Sequence, residues 1–225
     1  MAKPITISVI GHSEINRHPE RAIVNFRVLR NGGDKTDVSN TVVQTVNTIQ
    51  ELLETHTPRL ASGEATPEAT ITHWTMSTLN TTSYTDREEQ KTVFEANTTI
   101  SATFRDFDKL GDIAMTLSVM PNVSITSTRW MLTDATIASL ISECRISAAH
   151  NAQVKARDYA KAFGYQDVEP LEISDSGYGT PSTSSASVMR SRKTMRPIKK
   201  QEQQLTFRPE EVSMSATVSI QFKVV

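Results

Sequence analysis

The chain contains one cysteine, Cys144, and a histidine, His150, six residues after it, in a segment with helical periodicity. A thiol and an imidazole are the side chains of a nucleophile and its general base. Six residues correspond to about 240° around a helix of 3.6 residues per turn, so the two side chains point in different directions. They cannot pair within that helix, and we expect Cys144 to lie in the core.

Metal-capable side chains stand around the first predicted turn, and two carboxylates stand further along the chain. The former are His12, Glu14, His18 and Glu20. Their spacings match no standard zinc pattern, so we interpret them as turn residues. Asp106 and Asp108 could act as paired carboxylates, but acids gather at helix N-termini for capping and for the dipole. We therefore predict no catalytic, cofactor-binding or metal-binding residue.

Positive charge is concentrated in one segment, although the formal net charge is only -1. Between Thr180 and Gln201 there is no acidic residue, and the rest of the chain is acidic. The basic residues there are Arg190, Arg192, Lys193, Arg196, Lys199 and Lys200. Clustered cations can bind an anionic partner such as nucleic acid or an acidic surface. No aromatic residue lies within the cluster, which disfavours nucleic acid as the anionic partner. The surrounding stretch, about 177–209, is poor in large apolar residues, and we expect a mobile loop.

The cellular compartment is predicted from the residue pattern of the first strand and from the single cysteine. A lone Cys144 allows no internal disulfide, which fits a reducing compartment. Alternation typical of a strand begins already at Ile5, where a secretory signal would have an unbroken apolar stretch. The long uncharged run from Ile113 to Thr128 is half polar and contains Pro121, so we expect no membrane span. We predict a cytoplasmic protein.

Residues 22–132 contain apolar patterns that alternate between strand and helix. The order is a strand alternating from Ala22 to Val28, a helix over about 37–54, strands over about 70–84 and 92–105, a short helix capped by Asp106 and ended by Pro121, and a strand over 123–132. The helix over 37–54 has an apolar stripe formed by Val38, Val42, Val46, Ile49 and Leu53. This succession of strand, helix, strand, strand, helix, strand predicts an α+β fold with a ferredoxin-like βαββαβ core.

Further elements flank this core on both sides. A strand is predicted over 5–13, a strand begins at 171–174, and the chain closes on a strand in which Met214, Ala216, Val218, Ile220, Phe222 and Val224 alternate with polar residues. Between them, a long helix is predicted from an N-cap at Asp134 to Phe163. Its inward residues would be Ile137, Leu140, Ile141, Cys144, Ala148, Ala152, Tyr159 and Phe163. We predict one domain, 1–225, with a core over about 20–132 and an extension formed by 1–18 and 133–225.

Four short motifs, in this order along the chain, resemble the SIMPL-domain family. Gly11 followed by Pro19-Glu20-Arg21-Ala22 resembles the opening of that family, and residues 105–111 resemble the segment that enters its second helix. Residues 148–156, with Gly164 beyond them, are similar to its long Ala- and Lys-rich helix. Residues 211–218 resemble its last strand. The resemblance covers nearly the full length.

The resemblance implies a role without implying a reaction. Many members of this family are bacterial envelope proteins with a signal peptide, some form ring-like homo-oligomers, some are associated with stress tolerance, and one animal member binds a signalling kinase. No catalytic residue carries over to this chain. The expectation is a non-enzymatic, self-associating scaffold, a homo-oligomer that also binds a protein partner. Two alternatives stay open: binding of an anionic partner through Arg190 to Lys200, and an enzyme whose site is built from scattered residues.

Overall fold

The computed structural model describes residues 5–87, 90–183 and 208–225. Within these ranges the elements, in chain order, are β1 Thr6–Arg17, β2 Arg21–Gly32, α1 Lys35–Thr55, β3 Ile71–Met76, β4 Asn80–Thr85, β5 Thr92–Phe104, α2 Phe107–Ser118, β6 Val123–Met131, α3 Asp134–Ala162, β7 Val168–Tyr178, β8 Ser182–Thr183 and β9 Val212–Val224. Helices combined with antiparallel strands confirm the predicted α+β class. The basic residues Arg190 to Lys200 lie outside the described residues.

The described residues form two compact units. The first, which we call the four-stranded unit, contains residues 5–19, 131–183 and 210–225. The second, the five-stranded unit, contains residues 20–87, 90–130 and 208–209. Each unit has its own sheet. The single-domain organisation stays a prediction.

The sheet of the five-stranded unit has the order β3-β5-β2-β6, and β4 also pairs with β5. The central pair, β2 and β5, is antiparallel with Phe26 opposite Ile100, and both of these side chains are buried. Helix α1 packs against both strands through the predicted stripe, whose five residues are all buried. Its first turn is capped by Asp34, which accepts a hydrogen bond from Asp37 N at 2.8 Å. The ferredoxin-like core remains an interpretation, and it is based on this strand order.

The prediction of one continuous strand over 70–84 was wrong, because the structure has two shorter strands there. β3 and β4 both pair with β5, but the chain between them leaves the ladder. The side chain of Ser77 explains the break: its hydroxyl accepts a hydrogen bond from Thr99 N at 2.9 Å, where a strand would offer a carbonyl. Its own carbonyl accepts from Thr98 Oγ1 at 2.9 Å. A serine side chain that competes with the backbone in this way ends regular pairing.

The sheet of the four-stranded unit has the order β1-β9-β7, and β8 also pairs with β9. The closing strand β9 is central and buries alternate residues from Met214 to Phe222, as its period of two predicted. Helix α3 packs against β1, β9 and β7. Because β9 is central, its apolar side chains fill the space under the helix.

Two predictions for the long helix were wrong. Thr133, not Asp134, is its N-cap, and Asp134 is the first helical residue. Tyr159 and Phe163 do not face inward, since they are 55 % and 78 % exposed. Alanines at four-residue spacing are buried in their place, namely Ala148, Ala152, Ala156 and Ala160. The buried stripe therefore follows a four-residue spacing to the end of the helix, and Tyr159 and Phe163 lie beside it.

Candidate interaction surfaces

Cys144 and His150 occupy different sides of α3. Cys144 is completely buried, and its Sγ lies 3.5 Å from Met214 O. Burial raises the pKa of the Cys144 thiol, which keeps it protonated and weakly nucleophilic. His150 is exposed. The predicted core role of Cys144 is confirmed, and the two side chains do not form a reactive pair.

Two of the metal-capable residues around the first predicted turn, His12 and Glu14, contact side chains of the neighbouring strand β9. Glu14 accepts a hydrogen bond from Ser213 Oγ at 2.7 Å, and the ring of His12 lies 3.4 Å from Thr217 Oγ1. His18 is exposed. Within residues 5–87, 90–183 and 208–225, no three His, Cys, Asp or Glu residues are grouped so that they could hold a metal ion.

The carboxylate of Asp106 caps helix α2. One of its oxygens accepts hydrogen bonds from Asp108 N at 3.1 Å and Lys109 N at 3.0 Å. The exposed Asp108 lies in the first turn, where the helix dipole favours an acid. The capping interpretation of this pair is therefore confirmed.

An apolar cleft lies between α3 and the strands β7 and β9 of the four-stranded unit. Its volume is about 200 Å³, and it is lined by Arg145, Ala148, Ala149, Ile173, Asp175, Ala216, Thr217 and Val218. Arg145 Nε is 3.3 Å from Asp175 Oδ2, and its guanidinium lies 5.4 Å from the centre of the Tyr178 ring. The ion pair and the cation–π contact fix Arg145 in position. Sequence reasoning missed this cleft, because periodicity does not show how far β7 is separated from the helix.

Large apolar side chains are exposed on the two elements beside this cleft. Those on α3 and its C-cap are Ile146, Val154, Tyr159 and Phe163, and those on β7 are Leu171, Ile173 and Tyr178. Ile173, which lines the cleft, is 65 % exposed. Ile146 and Val154 are each two residues from buried residues of α3, which places them on the side of the helix that faces away from the sheet.

Both outer edges of the sheet in the four-stranded unit are obstructed. At β1, the side chains of α3 occupy outward backbone groups: Asn151 Oδ1 accepts from His12 N at 3.1 Å, and Lys155 Nζ donates to Ile10 O at 2.9 Å. At β7, pairing with β9 is interrupted by two register shifts. β7 also contains one proline and three acids, Pro170, Glu169, Glu172 and Asp175. Such features prevent another strand from pairing at an edge.

The sheet of the five-stranded unit differs at one of its ends. On the side of β5, the edge is divided between β3 and β4 and contains a register shift between Ile71 and His73. On the other side, β6 is the terminal strand, next to β2. The side chains of Ser124, Thr126, Ser127 and Arg129 are exposed on it. The nine residues of β6 include no proline and no acid, in contrast to those of β7.

Across the part of the chain that the structure describes, we find no helix with the length and apolar character that crossing a membrane would require. The family model described as "SIMPL: Protein of unknown function (DUF541)" matches residues 7–222. No curated protein matches the sequence.

Proposed function

Because the chain belongs to the SIMPL family, whose function is unknown, we propose its function from its own surfaces: it is a non-enzymatic interaction protein that associates with copies of itself. The observation that carries the interaction role is the exposure of large apolar side chains on α3 and β7, of which Ile173 lines the cleft beside Arg145. Their burial against another protein would be favourable, at about 25 cal/mol per Å² of apolar surface.

The non-enzymatic part of the proposal is supported by what the candidate side chains do. Cys144 is buried in the core and its pKa is raised. A carboxylate oxygen of Asp106 accepts hydrogen bonds from two backbone N–H groups. Glu14 accepts a hydrogen bond from Ser213. Each of these side chains makes a contact that stabilises the fold, and a reactive role would require that contact to break.

The test of self-association is a measurement of molar mass by light scattering, on the full chain at tens of micromolar, at low and at high salt. We expect a mass greater than that of one chain in both conditions, because burial of apolar surface and backbone pairing are little affected by salt. A strictly monomeric protein in both conditions would contradict the proposal.

Binding of an anionic partner is the second candidate function, favoured by the six basic residues from Arg190 to Lys200 in a segment without acids. It is tested by mixing the protein with vesicles that contain anionic lipid and, separately, with neutral vesicles. Co-sedimentation with the anionic vesicles alone, lost in a variant with these six residues replaced by glutamine, would support it. If the unmodified protein and the glutamine variant sedimented equally with the anionic vesicles, the result would count against this function.

A further inference from the structure

Strand β6 ends the five-stranded sheet with an unprotected edge. Among residues 5–87, 90–183 and 208–225, nothing pairs with the side of β6 that faces away from β2. The nine residues of β6 contain no proline, no glycine and one charged residue, Arg129. We propose that β6 pairs, antiparallel, with β6 of a second copy of this chain, so that two five-stranded sheets become one. This inference rests on the proposed function, because it names the surface through which the chain self-associates.

The contrast with the other edges supports this choice of strand. Asn151 and Lys155 occupy backbone groups of β1, and register shifts together with acids interrupt β7. Natural sheets block exposed edges in these ways because an unblocked strand offers a row of unpaired N–H and C=O groups to any other chain. β6 contains no proline and no acid, and a long edge without them is expected where pairing is part of the protein's normal state.

β6 is also held in place before it meets a partner. Leu29 N donates a hydrogen bond to Asn122 O, just before the strand, at 2.8 Å. Thr126 Oγ1 donates to Asn25 O at 3.0 Å, and Asn25 Nδ2 donates to Ser127 Oγ at 2.9 Å. Because side-chain hydrogen bonds reinforce the strand along its middle, pairing with a second strand requires little additional ordering.

The sequence of β6 is compatible with pairing to itself around a two-fold axis at Ser127. In that register Thr126 lies opposite Thr128, and threonine pairs across strands are favourable. Arg129 lies opposite Ile125, so the two arginines of the pair are separated along the strands by about 13 Å, about one Debye length. A two-fold pairing uses the β6 edge of both copies and is therefore closed. A second copy can therefore pair with this edge without placing like charges opposite each other.

The position of the pairing is tested by a symmetric disulfide. In Ser127→Cys, the two new thiols would face each other across the axis, and mild oxidation should produce a covalent dimer on a non-reducing gel. Cys144 stays unmodified because it is buried. Ser174→Cys is the matched control, since it places a thiol at an exposed serine of the obstructed edge strand β7. We expect no covalent dimer from it.

The contribution of β6 to assembly is tested by Ser127→Lys, which sets two like charges opposite each other at the axis. We expect the molar mass to fall to that of one chain, with an unchanged circular dichroism spectrum, whereas Ser174→Lys should keep the mass of the unmodified protein. If the lysine variant does not fold, the disulfide decides the matter. If the unmodified protein assembles but the Ser127→Cys variant forms no disulfide, the pairing of β6 is overturned and self-association is left intact. A monomeric unmodified protein would overturn both.

Discussion

Gly11 determines how closely α3 approaches the sheet of the four-stranded unit. A Cβ at this position would collide with the carbonyl oxygen of Ala148 and lie 2.9 Å from the Cβ of Ala152. The helix offers only small side chains on this side, as Ala148 and Ala152 are both buried. Larger residues in either element would force the two apart. Close packing of this kind tolerates little added volume.

We predict that Gly11→Ala destabilises the protein by about 1–3 kcal/mol, as overpacking of a core does. The neighbour of the added methyl group is backbone, which cannot rotate away. Urea unfolding followed by circular dichroism measures the effect. Gly33→Ala is the control, because a Cβ there meets nothing within 4 Å, and we expect a change of no more than about 0.5 kcal/mol. Equal stability of the two variants would show that α3 can shift without loss.

Single residues were predicted well where a local rule acts and poorly where packing decides. Asp106 was identified as a cap, since an acid before an apolar helix follows a local rule. Tyr159 and Phe163 were placed inward because apolar residues usually are, yet both are exposed. The buried stripe of α3 continues at four-residue spacing through Ala156 and Ala160 instead. Apolar residues at 156, 159, 160 and 163 allow either stripe, so sequence periodicity does not decide between them.

Among the elements, strand β9 was the most predictable, and its place at the centre of the sheet explains why. It pairs with β1 on one side and with β7 on the other. One face is covered by α3, so alternation of apolar and polar residues persists over the whole strand. The break between β3 and β4 was not predictable in this way, because it depends on hydrogen bonds between Ser77 and a strand that follows later in the chain.

We predict that Phe222→Asp prevents folding of the four-stranded unit. Phe222 is only 2 % exposed, and loss of a buried aromatic side chain alone costs about 3–5 kcal/mol, to which an unpaired buried charge adds. The variant should be recovered in the insoluble fraction after expression. Ser219→Asp is the control on the opposite face of β9, where its neighbours are Ile10 and Ser174. If both variants were insoluble, β9 would be covered on both faces.

At the scale of the whole molecule, the two sheets differ in whether their edge strands are obstructed. In the four-stranded unit the edges at β1 and β7 are obstructed, while exposed apolar side chains stand on α3 and β7. In the five-stranded unit, β6 is the terminal strand, and none of the residues that the structure describes pairs with its outer side. Backbone pairing and apolar contact are thus available on different elements. One surface can serve assembly between copies while the other remains free for a different protein.

The last prediction separates assembly through β6 from assembly through the basic segment. β8 and β9 are paired, with Thr183 opposite Val212, so the chain ends on either side of residues 184–207 can be joined by a short glycine–serine linker. We expect the shortened protein to keep both sheets, because every paired strand is retained.

The shortened protein should also keep the molar mass of the full chain, since β6 is unchanged. Attraction between the basic segment and the acidic remainder would be screened beyond about 10 Å at 0.1 M salt. Light scattering of both proteins at low and high salt therefore distinguishes the two modes. If the full chain assembled only at low salt and the shortened protein were monomeric, charge on residues 190–200 would drive association, and pairing through β6 would be excluded as its cause.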